Sequence, residues 1–273
     1  MAFTQSATLH NGVQMPWLGL GVFQVPKEIT KRVVLDALQL GYRSIDTAAF
    51  YDNEQEVGMA IKESGIPRDE IFVTTKLWNT DHGYKEALQA FEKSLNRLGL
   101  EYIDLYLIHW PVPSQGKYKE TWKALEKLYQ EGRVRAIGVS NFQIAHLEDL
   151  LADCQIKPMV NQVEYHPRLT QENLHQFCQK HQIQLEAWSP LMRGRILEEP
   201  LLVQIAQKYD KTPAQVILRW DVQNQVVTIP RSTRPERMKE NAQIFDFELT
   251  SEEMEMISSL NRNERIGPDP DKM

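Results

Sequence analysis

The run Ile103-Asp104-Leu105-Tyr106-Leu107-Ile108, closed by His109, decides the architecture. Apart from Asp104 and Tyr106 it is apolar, and its length suits a short buried strand. An amphipathic stretch follows, with Trp122, Leu125 and Leu128 at helical spacing, and it ends before Gly132. A second strand-like run, 134–139, comes next. The same unit recurs on both sides. Towards the N-terminus lie a strand near 17–20 and a helix with Val33, Val34, Ala37 and Leu38 inward that stops at Gly41. A strand at 44–46 follows, then a helix opened by Asn53 as N-cap, with Val57 and Ile61 inward. A strand at 71–75 precedes a helix with Ala87, Leu88, Phe91, Leu95 and Leu98 on one face, ended by Gly99. Towards the C-terminus come a helix near 143–152, a strand at 159–163, a helix using Leu174, Phe177 and Cys178, and a strand at 183–187. Helices near 198–209 and 213–223, a strand at 226–229 and helical units at 235–243 and 250–260 complete the series. The tail, Gly267-Pro268-Asp269-Pro270, is irregular.

Eight strand–helix units in one direction imply parallel strands with right-handed crossovers. Eight of them in about 250 residues is the arithmetic of an α/β (β/α)8 TIM barrel. Thr8 to Met15 differs: Asn11-Gly12 between short strands signals an N-terminal hairpin. An open doubly wound sheet is the rival, and it would carry G-x-G-x-x-G after its first strand. Gly19 and Gly21 have that spacing, but Gln24 stands where the third glycine belongs and Pro26 follows, so the fingerprint is absent. One domain over 1–273 is expected, with extra C-terminal helices.

The chain has 273 residues, 31 basic against 37 acidic, for a net charge of −6. That balance argues against nucleic acid, whose phosphates need a basic face. No run approaches the roughly 18 apolar residues of a membrane span. The first eight residues have neither a basic start nor an apolar run, so no signal peptide is read and the cytoplasm is the expected compartment. Two cysteines, Cys154 and Cys178, make no disulfide framework; both fall in stretches that read as helix and are expected to be reduced and buried. The seven histidines form no H-E-x-x-H or comparable cluster, so no metal is expected.

Active sites of such barrels form at the C-terminal strand ends. There the sequence places Asp46 with Tyr51 close behind, Lys76 followed by Trp78, His109 followed by Trp110, Ser140-Asn141, Gln162, Trp188-Ser189, and Arg231-Ser232. Singly, each has an ordinary explanation: a strand-end Asp caps a helix, a Lys is solvated, an aromatic packs. Converging on one face, they define a pocket. The set suits carbonyl reduction. Tyr51 as general acid needs a lower proton affinity than a free phenol, at about 10, and an adjacent Lys76 ammonium is expected to lower it. Asp46 would pair with Lys76, and His109 would donate a hydrogen bond to the carbonyl oxygen. The hydride must come from a cofactor. Its signal is the run from Ile229 to Asn241, where Arg231, Arg234, Arg237 and Lys239 surround the start of a helix, a setting that binds phosphate.

Asp46-Thr47-Ala48-Ala49-Phe50-Tyr51-Asp52-Asn53-Glu54, Leu107-Ile108-His109-Trp110-Pro111, Gly138-Val139-Ser140-Asn141-Phe142 and Ile229-Pro230-Arg231-Ser232 resemble the signature segments of the aldo-keto reductase superfamily. The likeness runs over essentially the whole chain. It implies a TIM barrel whose hairpin closes the bottom and whose mouth binds NADPH. It also implies Asp46, Tyr51, Lys76 and His109 as the catalytic tetrad. Ser140, Asn141 and Gln162 would hold the carboxamide, with Trp188 stacked on the nicotinamide and Ser189 beside it. Gly21 and Val22 would lie near the cofactor, and Arg231, Ser232, Arg237, Glu240 and Asn241 would hold the 2′-phosphate end. Two positions depart from the family pattern: Arg231 replaces a usual Lys, which keeps the charge, and Trp188 replaces a frequent Tyr, which keeps the flat face. Short loops resemble the small prokaryotic members, the glyoxal, methylglyoxal and diketogluconate reductases, and imply an open substrate pocket lined by Phe23, Trp78, Trp110 and His109.

The leading reading is an NADPH-dependent reductase of small aldehydes and ketones, including 2-oxoaldehydes, acting as a monomer without nucleic-acid or membrane partners. A diketo-sugar-acid reductase is an alternative within the class. Outside it stand a lyase forming a Schiff base on Lys76 and a non-catalytic NADPH-binding module that reports redox state.

Overall fold

The computed structural model describes residues 5–273; residues 1–4, where the reading of no signal peptide begins, lie outside that range. Eight strands pair in parallel in chain order: β3 (Leu20–Gly21), β4 (Ser44–Asp46), β5 (Phe72–Leu77), β6 (Ile103–Ile108), β7 (Val134–Ser140), β8 (Val160–Glu164), β9 (Gln184–Trp188) and β10 (Val227–Thr228). The sheet curls until its first and last strands meet. Leu18 bridges Thr228, Gly19 N–H donates to the Thr228 carbonyl (3.0 Å) and Thr228 N–H to that of Trp17 (2.9 Å). This is the expected TIM-barrel architecture.

The outer helices are α1 (Lys27–Gln39), α2 (Glu54–Glu63), α3 (Tyr84–Leu98), α4 (Tyr118–Gln130), α5 (Ile144–Leu151), α6 (Glu172–Lys180), α7 (Pro200–Lys208), α8 (Pro213–Gln223), α9 (Pro235–Ala242) and α10 (Ser251–Ser258). The inward residues read from helical spacing are buried, apart from Leu88 and Phe177, which are half-buried against the core. Gly99 ends α3 at φ +62, a conformation that costs glycine least, and its N–H and that of Leu100 both return to the Leu95 carbonyl. Strands β1 (Ser6–Thr8) and β2 (Gln14–Pro16) form the hairpin. It sits under the barrel: Asn11 Nδ2 donates to the Arg135 carbonyl (3.0 Å) at the start of β7.

Three local expectations are corrected. The seam strands, at Leu20–Gly21 and Val227–Thr228, are shorter than the runs at 17–20 and 226–229, and Pro230, with no N–H, stops the second of them. Asn53 opens α2, but its side chain does not cap it. Instead it accepts from Thr47 Oγ1 (2.7 Å) and donates to the Val22 carbonyl (3.1 Å), tying the loop after β4 to the strand beside it. Cys154 is half-buried and lies beyond α5, since Glu126 Oε1 accepts the N–H groups of Gln155 and Ile156 (2.7 and 2.8 Å) and draws the chain out of helical register. Cys178 is buried in α6 as expected.

Candidate active site at the barrel mouth

A cleft of ≈770 Å³ opens at the C-terminal strand ends, within the ~300–1,000 Å³ usual for ligand sites. Asp46 closes β4. The chain then turns through a short 3-10 segment, Ala49–Tyr51, which swings the Tyr51 ring back over the strand ends. Lys76, on β5, points into the barrel with no exposed surface. Its Nζ lies 2.6 Å from Asp46 Oδ1, 2.9 Å from the Thr47 carbonyl and 3.5 Å from Tyr51 Oη. His109, just past β6, meets the edges of the Tyr51 and Trp78 rings at centroid distances of 5.7 and 5.1 Å. The four expected catalytic residues therefore converge.

Their electrostatics differ from expectation at one point. Burial pushes the Tyr51 hydroxyl up to about 12. Lys76 does pull it down, as the spacing suggested, but desolvation of the phenolate outweighs that attraction. The arrangement thus keeps Tyr51 loaded with its proton, as an acid should be. Burial also works against the charge on Lys76, but Asp46 and Tyr51 outweigh it and raise its proton affinity. Burial, with Lys76 adding to it, holds His109 neutral, well below the usual imidazole range. Its Nδ1 is buried without a partner.

Gln162, on β8, donates from Nε2 to Asp46 Oδ2 (2.7 Å) and to Glu186 Oε2 (2.8 Å). Ser140 Oγ donates to the Gln162 carbonyl (2.8 Å), and Asn141 Nδ2 donates to the His109 carbonyl (2.9 Å). Trp188 is half-buried at the end of β9, and its indole N–H donates to Asn141 Oδ1 (2.8 Å), which fixes the ring plane at the cleft. Ser189, Gly21, Arg231, Ser232, Arg237, Glu240 and Asn241 all line the cleft. Val22 does not. Its side chain is buried, its N–H donates to the Asp46 carbonyl and its own carbonyl accepts from Asn53, so it supports the site from behind.

The arginine-rich end of the cleft is built on α9. Arg234 is its N-cap residue and supplies no side-chain cap; Pro235 has no N–H, so the first helical N–H groups are those of Glu236 and Arg237, beside exposed Arg231, Arg234 and Arg237. Tyr42 Oη donates to the Met238 carbonyl (2.9 Å) and Thr212 Oγ1 to Glu240 Oε1 (2.9 Å), anchoring the helix from both sides. An uncapped helix start among arginines fits a phosphate-bearing dinucleotide.

On the substrate side, Phe23, Trp78 and Trp110 line the cleft as expected. The sequence reading missed Phe50, half-exposed and stacked on Trp78 at 3.8 Å. It also missed the tail. Glu164 accepts the N–H groups of Ile266 (2.7 Å) and Gly267 (3.1 Å) and bonds to His166 (3.0 Å), laying Gly267 and Pro268 along the cleft. A Cβ at Gly267 would stand 2.3 Å from the Trp188 ring, so only glycine fits there. Glu186 went unread as well. Its signal was its place two residues before Trp188, which on a strand puts both on one face.

A barrel mouth with a Tyr–Lys–Asp–His cluster beside an arginine-lined helix start fits an oxidoreductase class. The aldo/keto reductase family profile matches residues 17–262, and the chain belongs to that family. It is 61% identical over 267 residues to the glyoxal reductase of Bacillus subtilis (strain 168), covering 97% of this chain and 96% of that protein. It is 46% identical over 266 residues to the methylglyoxal reductase DkgA of Escherichia coli (strain K12), covering 97% and 96%. The crystal structure of a Gox0644 mutant in complex with NADPH superposes with a TM-score of 0.95 at 44% identity, over 98% of each chain.

Proposed function

We propose that this aldo-keto reductase reduces small aldehydes and ketones, 2-oxoaldehydes such as glyoxal and methylglyoxal among them, with NADPH as reductant. The observation that carries the reading is the Tyr51–Lys76–Asp46 chain at the floor of the cleft, 3.5 and 2.6 Å long in its two links. Bound NADPH supplies the hydride that the carbonyl carbon accepts. Tyr51 holds its proton at Oη and gives it to the carbonyl oxygen. The Lys76 ammonium stabilises the phenolate left behind, and Asp46 keeps that ammonium charged and aimed. Neutral His109 donates a hydrogen bond to the same oxygen and fixes the substrate's orientation. Phe23, Phe50, Trp78 and Trp110 form an apolar wall that favours small carbonyl compounds. Ser140, Asn141, Gln162 and Trp188, with Ser189, hold the nicotinamide end; Arg231, Ser232, Arg237, Glu240 and Asn241 hold the 2′-phosphate.

The similarity to glyoxal and methylglyoxal reductases supports the substrate class, and the NADPH-bound relative supports the cofactor. A Schiff base on Lys76 is disfavoured: the amine has no exposed surface and is bound to Asp46. The family match over residues 17–262 supports a single-domain enzyme, and a monomer working in the cytoplasm completes the proposal. Among the described residues no helix is long and apolar enough to cross a membrane. The test is NADPH oxidation with methylglyoxal, wild type beside Tyr51→Phe. A loss of at least ~100-fold in the variant is expected. NADPH binding without turnover across a panel of carbonyls would favour the redox-reporting reading instead.

A further inference from the structure

Glu186 is buried inside the barrel, two residues below Trp188, and the mechanism above does not use it. Gln162 Nε2 joins it to Asp46, with 2.8 Å on one side and 2.7 Å on the other. Asp46 in turn holds Lys76, and Lys76 approaches Tyr51. A continuous line of contacts therefore runs from the general acid to a second buried carboxyl. Around Glu186, β4 contributes Asp46, β5 contributes Lys76, β8 contributes Gln162 and the 3-10 turn contributes Tyr51. Strand β10 pairs uncharged Val227 with it, while Thr228 bonds to Asp221 of α8 (2.8 Å). Glu164, also on β8, is committed at the rim to His166 and the tail. One ammonium thus serves two buried carboxyl groups, and Glu186 Oε1 has no partner.

We propose that Glu186 is a positioning residue for reductive proton transfer: it orients the Gln162 amide against Asp46, and its negative charge favours the proton-loaded form of Tyr51. The inference rests on Tyr51 being the general acid. Burial, with Asp46 adding to it, raises the Glu186 carboxyl above the usual carboxylate range, so the group gains its charge as the solution becomes alkaline. That is where a general acid is at risk of losing its proton. The same charge opposes phenolate formation on Tyr51 and supports the ammonium of Lys76. Glu186 thereby extends reduction to higher pH and delays the reverse reaction, which needs the phenolate.

The experiment is the pH profile of kcat/KM for methylglyoxal reduction with NADPH, carried from about pH 6 to about pH 12 so that it reaches the raised Tyr51 hydroxyl. Wild type is compared with Glu186→Gln, Glu186→Asp and Tyr51→Phe. In Glu186→Gln the alkaline limb should move down by about one unit, a ~10-fold loss at a fixed pH on that limb. Glu186→Asp, which keeps the charge, should restore most of it. Glu186→Thr, smaller and suited to a strand, is the second neutral variant should the glutamine form fold poorly. Superimposed alkaline limbs overturn the proposal, as does a loss that is uniform over pH with a lowered melting temperature, the mark of a structural role alone. Tyr51→Phe separates the two readings: if it stays active, the general-acid assignment fails; if it is inactive while the Glu186 variants track wild type, only the role of Glu186 fails.

Discussion

Asp104 and Asp46 are buried acids at opposite ends of one barrel, and their surroundings differ in kind. Asp104, near the start of β6, accepts from Arg68 Nη2 (2.7 Å), Arg135 Nη1 (2.7 Å) and the Val73 N–H (2.9 Å). Two cations serve one carboxylate, and both reach solvent at their edges. Asp46 shares one fully buried ammonium with Tyr51 and Glu186, and unpartnered atoms remain at Glu186 Oε1 and His109 Nδ1. At the lower end both oxygens of the Asp104 carboxylate are satisfied and hold strands together, and the one unpartnered atom of the cluster is Arg68 Nε, on a cation. The upper end is left short of partners, which suits groups that exchange protons and bind a guest. The same residue type is structural in one setting and chemical in the other, and the partners decide which.

Substitutions at each end can break that contrast. The largest effect is expected from Lys76→Met, which removes the only cation of the upper cluster: a ~1,000-fold fall in kcat, read by NADPH oxidation. Asp104→Ala should do the reverse. It should destabilise by about 3 kcal/mol, seen as a lower urea midpoint, because two guanidinium groups and an N–H lose their acceptor. The folded fraction should keep the wild-type kcat/KM; a fall in turnover would mean that the two ends are coupled. Arg237→Ala should raise KM for NADPH by ~10-fold, the scale of one charged hydrogen bond, and leave that for NADH unchanged. Equal weakening of both cofactors would remove the 2′-phosphate assignment.

The smallest effect concerns His82, buried between the Trp78 loop and α3. Burial, helped by Lys117, lowers it to about 4. Its folded proton affinity is below that of the unfolded chain, near 6.5, so its stabilisation is complete above that pH and is lost as pH falls towards about 4. Thermal melts at about pH 5.5 should show wild type losing roughly 1 kcal/mol more, relative to pH 7, than His82→Gln loses. Equal losses would assign the acid sensitivity to carboxylates elsewhere.

Much of this was legible in the chain. Parallel strands buried on both faces read as apolar runs, so the polar residue ending each one stood out: Asp46, Lys76, His109, Ser140 and Trp188. The Asn11-Gly12 turn and the Gly41 and Gly99 stops follow from backbone sterics alone. Glu186 was hidden because it sits inside a strand rather than at its end, and only the two-residue register with Trp188 marks it. The proton affinity of Tyr51 was misjudged because Lys76 is visible in the sequence while the depth of burial is not. Asn53 looked like a helix cap because its partners, Thr47 and Val22, are set by folding. Phe50 was masked by its neighbour Tyr51.

The seam between β3 and β10 has a consequence for how the protein comes into being. Gly21 N–H donates to the Pro230 carbonyl (3.3 Å), and Arg231 Nη1 donates to the Gln24 carbonyl (3.3 Å) across 207 residues of chain. The cleft is thus closed by the first and last strands, which meet only when nearly the whole polypeptide has left the ribosome. A chain truncated before β10 lacks that closure together with Arg231 and α9. If the proposed site holds NADPH, its retention doubles as a report that synthesis and ring closure are complete.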